Sequence, residues 1–137
     1  MTANEFSRIF PQKIIKNFIV DEMVYKSFQA CSCDFNPLHV DDNYAIDKGF
    51  KGKVMYGNIL NAFISYLVGE CLPSKEVIIH SQNINYLLPV YLNDSLELEL
   101  SINAIYESVN AIDLKFIFRN VSEKVVSRGI IQIGILA

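Results

Sequence analysis

The sequence predicts an α+β domain in which an antiparallel sheet packs one face against a single buried helix. Three observations lead there. The first half of the chain is marked by helix caps and turn signals, whereas the second half is a run of four strand-length segments joined by short polar connections. Between them lies a helix, residues 57–68, with apolar residues around too much of its circumference for a surface position. Such a helix needs a sheet to wrap it. With 137 residues, half of them hydrophobic and a fifth charged, the chain reads as one folded domain over 1–137 with a single core.

The elements follow in order. Residues 13–20 read as a short strand. Asp21 then caps a helix over 22–31, with Glu22 well placed against the N-terminal dipole and Met23, Phe28 and Cys31 along one side. Residues 32–40 form a loop, because Asn36-Pro37 is a turn signal and proline disfavours helix at the residue before it. Asp41 or Asp42 starts a short helix that Gly49 ends as a C-cap, and residues 50–56 are a basic, glycine-punctuated connection. The apolar helix runs from Gly57 to Val68 and is closed by Gly69; Ile59, Leu60, Phe63, Ile64, Leu67 and Val68 predict burial nearly all round. Strands are expected at 76–87, 95–106, 112–119 and 124–136. Leu96, Leu98, Leu100 and Ile102 alternate with Glu97, Glu99 and Ser101, and Ile112, Leu114, Phe116 and Phe118 oppose Asp113, Lys115 and Arg119. Asn93-Asp94 and residues 120–123 are polar connections suited to antiparallel neighbours. The last strand is apolar on both faces in places, which predicts burial at an interface.

Composition excludes several classes. The formal net charge is -3 and no basic run offers a stripe for phosphates, so no nucleic-acid partner is expected. The most apolar stretch, residues 59–68, is interrupted by Asn61 and Ser65, so no membrane span is expected. No basic segment followed by an apolar run and a cleavage site opens the chain, and three cysteines form an odd, sparse set without zinc spacing to the two histidines. Reduced thiols, a cytoplasmic location and no metal are the expectation.

The polar residues with chemical potential cluster at 34–39. Asp34 and His39 stand five residues apart on a proline-containing loop that can aim both side chains at one point. Such a pair can hold a water, one partner taking its proton while the other delivers a proton elsewhere. By spacing alone, an Asp and a His on a turn are more often a cap and a surface group. Gly57 opens the apolar helix; glycine permits close approach to the backbone, and the unpaired first amides of a helix form an oxyanion site for a carbonyl. Its alternative role is tight packing or a turn. Lys51 and Lys53 suit either a phosphate-bearing carrier or a solvated basic loop, and His80 reads as structural.

Taken together these residues resemble the MaoC-like (R)-specific enoyl-thioester hydratases. The segment from Ser32 to Asp41 is similar to that family's hydratase motif, with Asp34, Asn36 and His39 at its marked positions. Tyr44-Ala45 and Phe50 match the following helix and its exit. Tyr56-Gly57 falls where the family usually carries His-Gly, and Ser65 where it has a pocket-lining serine. Asn85 to Leu96 is similar to the family's strand ending in a Pro-Val turn and an acidic residue, so the resemblance runs from about Phe28 to beyond Leu100.

The resemblance implies a single hot-dog domain over 1–137, an antiparallel sheet wrapped around a central helix. It implies a homodimer with the acyl chain bound near the subunit interface. The implied enzyme is a hydratase/dehydratase that adds water to 2-enoyl thioesters to give (R)-3-hydroxyacyl thioesters, or runs the reverse. In that reading His39 is the base for attack at the beta carbon, and Asp34 helps to protonate the alpha carbon. The Gly57 amide polarises the thioester carbonyl, Asn36 holds the loop, Ser65 orients the imidazole or lines the pocket, and Tyr56 borders the substrate. No metal or prosthetic group is implied; coenzyme A or acyl carrier protein is the substrate's handle. Two departures stand out. Tyr56 is larger than histidine and cannot become cationic near neutral pH. Asn93 stands where glycine is frequent before the acid, and asparagine tolerates positive φ. A hot-dog acyl thioesterase would share the architecture but would place a carboxylate on the central helix, and residues 57–69 contain no Asp or Glu. A non-catalytic acyl-binding or assembly subunit is the remaining alternative, against which the intact Asp34 and His39 argue.

Overall fold

The first helix starts itself. In the computed structural model, which describes residues 1–136, the Thr2 hydroxyl accepts from the Glu5 amide while the Glu5 carboxylate accepts from the Thr2 amide, a reciprocal cap. That cap launches α1 (Ala3–Ile9), which seats Phe6 fully in the core. Sequence reading had no element here, although Thr2 and Glu5 carry the capping-box spacing. Next come β1 (Ile14–Ile19) and α2 (Glu22–Ser32), the latter capped by Asp21 as expected, with its carboxylate 2.9 Å from the Val24 amide. Cys33 ends α2 in the left-handed region at φ 56°. The expected loop over 32–40 contains a helical turn, α3 (Pro37–Val40), because proline at the first helical position lacks only an amide that would be unpaired there. The helix α4 (Asp42–Asp47) follows, capped by Asp41.

The central helix α5 (Asn58–Tyr66) does not close at Gly69; it widens into a π-helical turn over Leu67–Cys71. Its six expected apolar residues are all buried. The expectation of burial all round is corrected: Asn58, Ala62, Ser65 and Tyr66 form an exposed stripe on this chain. The sheet contains β2 (Val77–Tyr86), β3 (Ser95–Tyr106), β4 (Ala111–Arg119) and β5 (Val125–Ile135) with β1, in the order β1-β3-β4-β5-β2 and antiparallel throughout.

The alternating pattern sets which face meets α5. Leu98 lies opposite Phe118, Leu100 opposite Phe116 and Ile102 opposite Leu114, so their side chains share the inner face. Leu96, Leu98, Leu100, Phe116 and Phe118 are at most 1% exposed and form one core with Ile59, Leu60, Phe63, Ile64 and Leu67. Each such side chain contributes roughly 1.5–3 kcal/mol by leaving water. At the β1 edge Phe18 stacks on Phe63 with ring centroids 4.4 Å apart. The apolar character of β5 has a different cause from the interface expected: it is an interior strand, hydrogen-bonded to β4 and β2 on its two sides. The other edge is β2, where Ile78, Ile79 and Tyr86 are exposed. His80 on that strand packs over Gly134, its Nδ1 3.3 Å from the Gln132 amide oxygen. Asn93 turns the chain into β3 at φ 69°, as its residue type allows.

Candidate active site

Short polar side chains build the loop that follows α2. The Ser32 hydroxyl accepts from the Asp34 amide (3.2 Å), the Asp34 carboxylate from the Asn36 amide (3.0 Å), and the Asn36 side-chain oxygen from the Leu38 amide (3.0 Å). Each reaches two residues along, the geometry in which Ser and Asx side chains replace a backbone turn. Asn36 thereby caps α3 and holds the loop. One carboxylate oxygen of Asp34 is thus engaged locally.

His39 sits on α3 with its ring fixed by the main chain. Its Nδ1 lies 2.7 Å from the Val54 carbonyl oxygen. A carbonyl can only accept, so Nδ1 carries the proton and Nε2 carries the lone pair. An imidazole in that tautomer is a general base. Val54 is itself pinned, because its amide donates to Leu38 O (3.0 Å) and the next amide, of Met55, donates to Val90 O (2.8 Å).

Tyr56 touches both members of the pair. Its hydroxyl donates to the Asp34 carbonyl oxygen. Its ring lies against the His39 imidazole with centroids 4.4 Å apart. The phenol is 3% exposed and packs between Phe28, Tyr25 and His39. The Gln29 amide donates to the hydroxyls of Tyr56 (3.2 Å) and Tyr25 (3.4 Å), and Tyr25 donates to the His39 carbonyl oxygen (2.6 Å). Burial pushes both phenols above the ordinary tyrosine value of 10.0, against a smaller downward pull from the Gln29 amide, so both remain neutral donors.

Of these groups His39, Val54 and Tyr56 border a cavity of about 520 Å³, which Asp34, Tyr25 and Gln29 do not line. One wall is His39, Tyr56, Gly57 and Asn58; the other is Tyr86 with residues 87–90; Phe50, Met55 and Leu60 make it mostly apolar. Gly57 precedes α5 and no side chain caps the helix; the Ile59 and Leu60 amides donate to the Tyr56 and Gly57 carbonyls (both 3.1 Å), while Gly57 and Asn58 line this space. A Cβ at Gly57 would lie 2.9 Å from Cε1 of Tyr86, so any larger residue there requires that ring to shift. The arrangement offers a base, an amide donor and an apolar slot. It suits a carbonyl-bearing chain.

The residues singled out by sequence fall into two groups. His39, Tyr56 and Gly57 share the cavity wall. Asp34 is half-buried behind Tyr56, joined to the site through that hydroxyl. Asn36 serves the loop. Ser65 is exposed on α5 and does not line the cavity of this chain, so its expected contact with pocket or imidazole is absent within one protomer. Sequence reading missed Tyr25, Gln29, Tyr86 and the Val54 carbonyl. Tyr25 and Gln29 stand four apart on a helix, which puts them on one face and was the available signal. A backbone acceptor has no signature in residue type.

The family model described as MaoC like domain matches residues 11–117. The chain belongs to this family. Among relatives of the MaoC-like chain, the (R)-specific enoyl-CoA hydratase of Aeromonas caviae is 36% identical over 81 residues, 59% of this chain and 60% of that protein. The mitochondrial 3-hydroxyacyl-[acyl-carrier-protein] dehydratase of Arabidopsis thaliana is 28% identical over 107 residues, 76% of this chain and 63% of its own. The chain thus spans about 60% of the length of the first of these curated relatives. The solved structure of the (R)-hydratase from A. caviae involved in PHA biosynthesis superposes with a TM-score of 0.83 at 26% identity, covering 92% of this chain and 96% of that one. The MaoC-like domain therefore has the fold of those hydratases, the hot-dog arrangement of sheet and central helix.

Proposed function

We propose that this MaoC-like domain catalyses reversible hydration of 2-enoyl thioesters to (R)-3-hydroxyacyl thioesters. One observation carries the reading: a histidine held in its Nδ1–H tautomer shares a cavity wall with Gly57 at the uncapped head of α5. In hydration the water oxygen bonds to the beta carbon as His39 Nε2 takes its proton. The C=C electron pair moves onto the thioester oxygen, where the Gly57 amide stabilises the enolate. A proton delivered to the alpha carbon, with Asp34 assisting, completes the addition. Dehydration runs the same steps backwards. The names of the A. caviae and A. thaliana relatives support this class of substrate.

The carrier is coenzyme A or acyl carrier protein. A cleft of about 330 Å³ adjoins the cavity across Leu88-Pro89 and holds Lys51 and Lys124, cations suited to a carrier phosphate. The working unit is a homodimer formed through the β2 edge. Support comes from the exposed Ile78 and Ile79 on an edge strand paired on one side only, with Tyr66 exposed on α5. Dimerisation would also cover Ser65. Three free cysteines, two of them exposed, suit the reducing cytoplasm.

The experiment follows loss of conjugated thioester absorbance with short and medium 2-enoyl-CoA esters. Asp34→Asn and His39→Ala should each abolish turnover while the circular dichroism stays native. Hydrolysis of saturated thioesters without hydration would instead establish the thioesterase. Here the carboxylate just past α5, Glu70, is exposed and paired with Lys75 at 2.8 Å. Light scattering at micromolar concentration tests the dimer.

A further inference from the structure

We propose that Gln29 is a positioning residue that holds both members of the acid–base pair at once, acting through Tyr25 and Tyr56. The inference rests on the assignment of Asp34 and His39 to the chemistry. It adds three residues that neither the motif nor the cavity wall singles out together.

The argument is one of proton counting. A phenol has one O–H proton and an oxygen that accepts. Tyr56 spends its proton on the Asp34 carbonyl, and Tyr25 spends its own on the His39 carbonyl at 2.6 Å. Both phenol oxygens then need an incoming donor. The Gln29 amide has two hydrogens and lies 3.2 Å from one hydroxyl and 3.4 Å from the other. Its NH₂ group is therefore turned toward the two rings; the opposite orientation would set its oxygen against hydroxyls whose protons are already committed. The result is a closed set of donors fanning from one side chain to two main-chain carbonyls, and those carbonyls belong to the two reacting residues.

The surroundings make this set consequential. Gln29 is 8% exposed, and an inward helix position of that kind is ordinarily filled by an apolar residue unless the polar group is satisfied. Besides this contact the loop is held by its own short turns and, at Leu38 and His39, by the main chain of Val54, while Phe35 at its tip is 63% exposed. The anchors thus reach the loop from a rigid helix. Since one amide serves both hydroxyls, the helix-side anchors of Asp34 and His39 are coupled, and displacement of Gln29 loosens both while the Val54 contacts to Leu38 and His39 remain.

The test uses Gln29→Met, Tyr25→Phe and Tyr56→Phe, which keep side-chain bulk and remove only hydrogen bonds, and Tyr106→Phe as an exposed control. With a 2-enoyl-CoA ester, each Phe variant should lose about 10-fold in kcat and Gln29→Met about 100-fold, with KM within about twofold, as small misplacements of reacting groups cost rate and not binding. Adding either Phe change to Gln29→Met should cost less than about threefold more, because the coupled bonds are already gone. Should Gln29→Met fail to fold, the Tyr25→Phe/Tyr56→Phe double variant carries the test, with a loss differing from the product of the single ones. The His39 imidazole NMR signals give a readout independent of turnover: one sharp set in the wild type, shifted or doubled in Tyr25→Phe and Tyr56→Phe. If the wild type hydrates no thioester, the proposed reaction fails and the NMR arm alone decides this inference. Wild-type kcat and unchanged imidazole signals in both Phe variants would overturn it, as would fully additive losses.

Discussion

Gly57→Ala separates the chemistry of the helix head from its packing. The added methyl would stand 2.9, 3.1 and 3.2 Å from three atoms of the Tyr86 ring, where ordinary contact begins near 3.4 Å. Something must move, and the ring is free to do so. It is 49% exposed, and its hydroxyl is held only by bonds of 3.3 Å to Asn58 and Asn61. Gly57 has helical dihedrals that alanine adopts freely, so the stability cost is that of displacing the ring, about 1 kcal/mol, or a fall in Tm of about 4 °C. The catalytic cost is larger. A methyl beside the amide keeps the thioester oxygen from its donor, and loss of one oxyanion donor is worth about 100- to 1,000-fold in kcat, roughly 2.7–4 kcal/mol. Steady-state hydration of a 2-enoyl-CoA ester beside thermal melts of the same samples gives both quantities. Combining Gly57→Ala with Tyr86→Ala removes the clash while leaving the methyl at the amide, so activity should stay low. Recovery of wild-type kcat in that pair, or a folded Gly57→Ala within about threefold of wild type, would refute the oxyanion assignment.

Other outcomes follow from the same geometry. Lys51→Ala and Lys124→Ala should each raise KM for a CoA ester by about 2- to 5-fold, the worth of an exposed charge pair, and leave KM for a phosphate-free N-acetylcysteamine thioester unchanged. The raised phenols make the protein labile to base. A folded value above the unfolded 10.0 favours the native state fully below that pH, and the gain is lost as pH rises through the folded values. Denaturant melts between about pH 8 and 11 should show this loss, and the Tyr25→Phe/Tyr56→Phe variant should show less of it. Phe6→Ala should cost about 3–5 kcal/mol in urea titrations, since the ring is fully buried and the cavity cannot collapse onto solvent.

Much of the architecture was legible because period and burial coincide. Leu96 to Leu100 and Ile112 to Phe118 alternate cleanly, and each predicted inner residue is buried. The apolar density of residues 59–68 announced a helix against a sheet. What escaped the sequence was long-range. The apolar residues of β5 read as an interface because only the strand order reveals that β2 lies outside it. The π-turn at Leu67–Cys71 leaves Gly69 inside a helical segment, where residue type alone signals an end. The loop carrying Asp34 and His39 was visible as a motif. Its supports come from Val54, 15 residues beyond His39, and from Gln29, 27 residues before Tyr56, contacts that no local pattern encodes.

The partner of His39 Nδ1 is a peptide oxygen, and that has a mutational consequence. Substituting Val54 changes what packs there, yet any amino acid at that site still presents a C=O to the ring. The proton arrangement of the imidazole is thus insulated from point changes at its own support. It is altered only when the chain around Val54 is rerouted, by an insertion or deletion between Phe50 and Gly57 or by a break in the bridge to Tyr91.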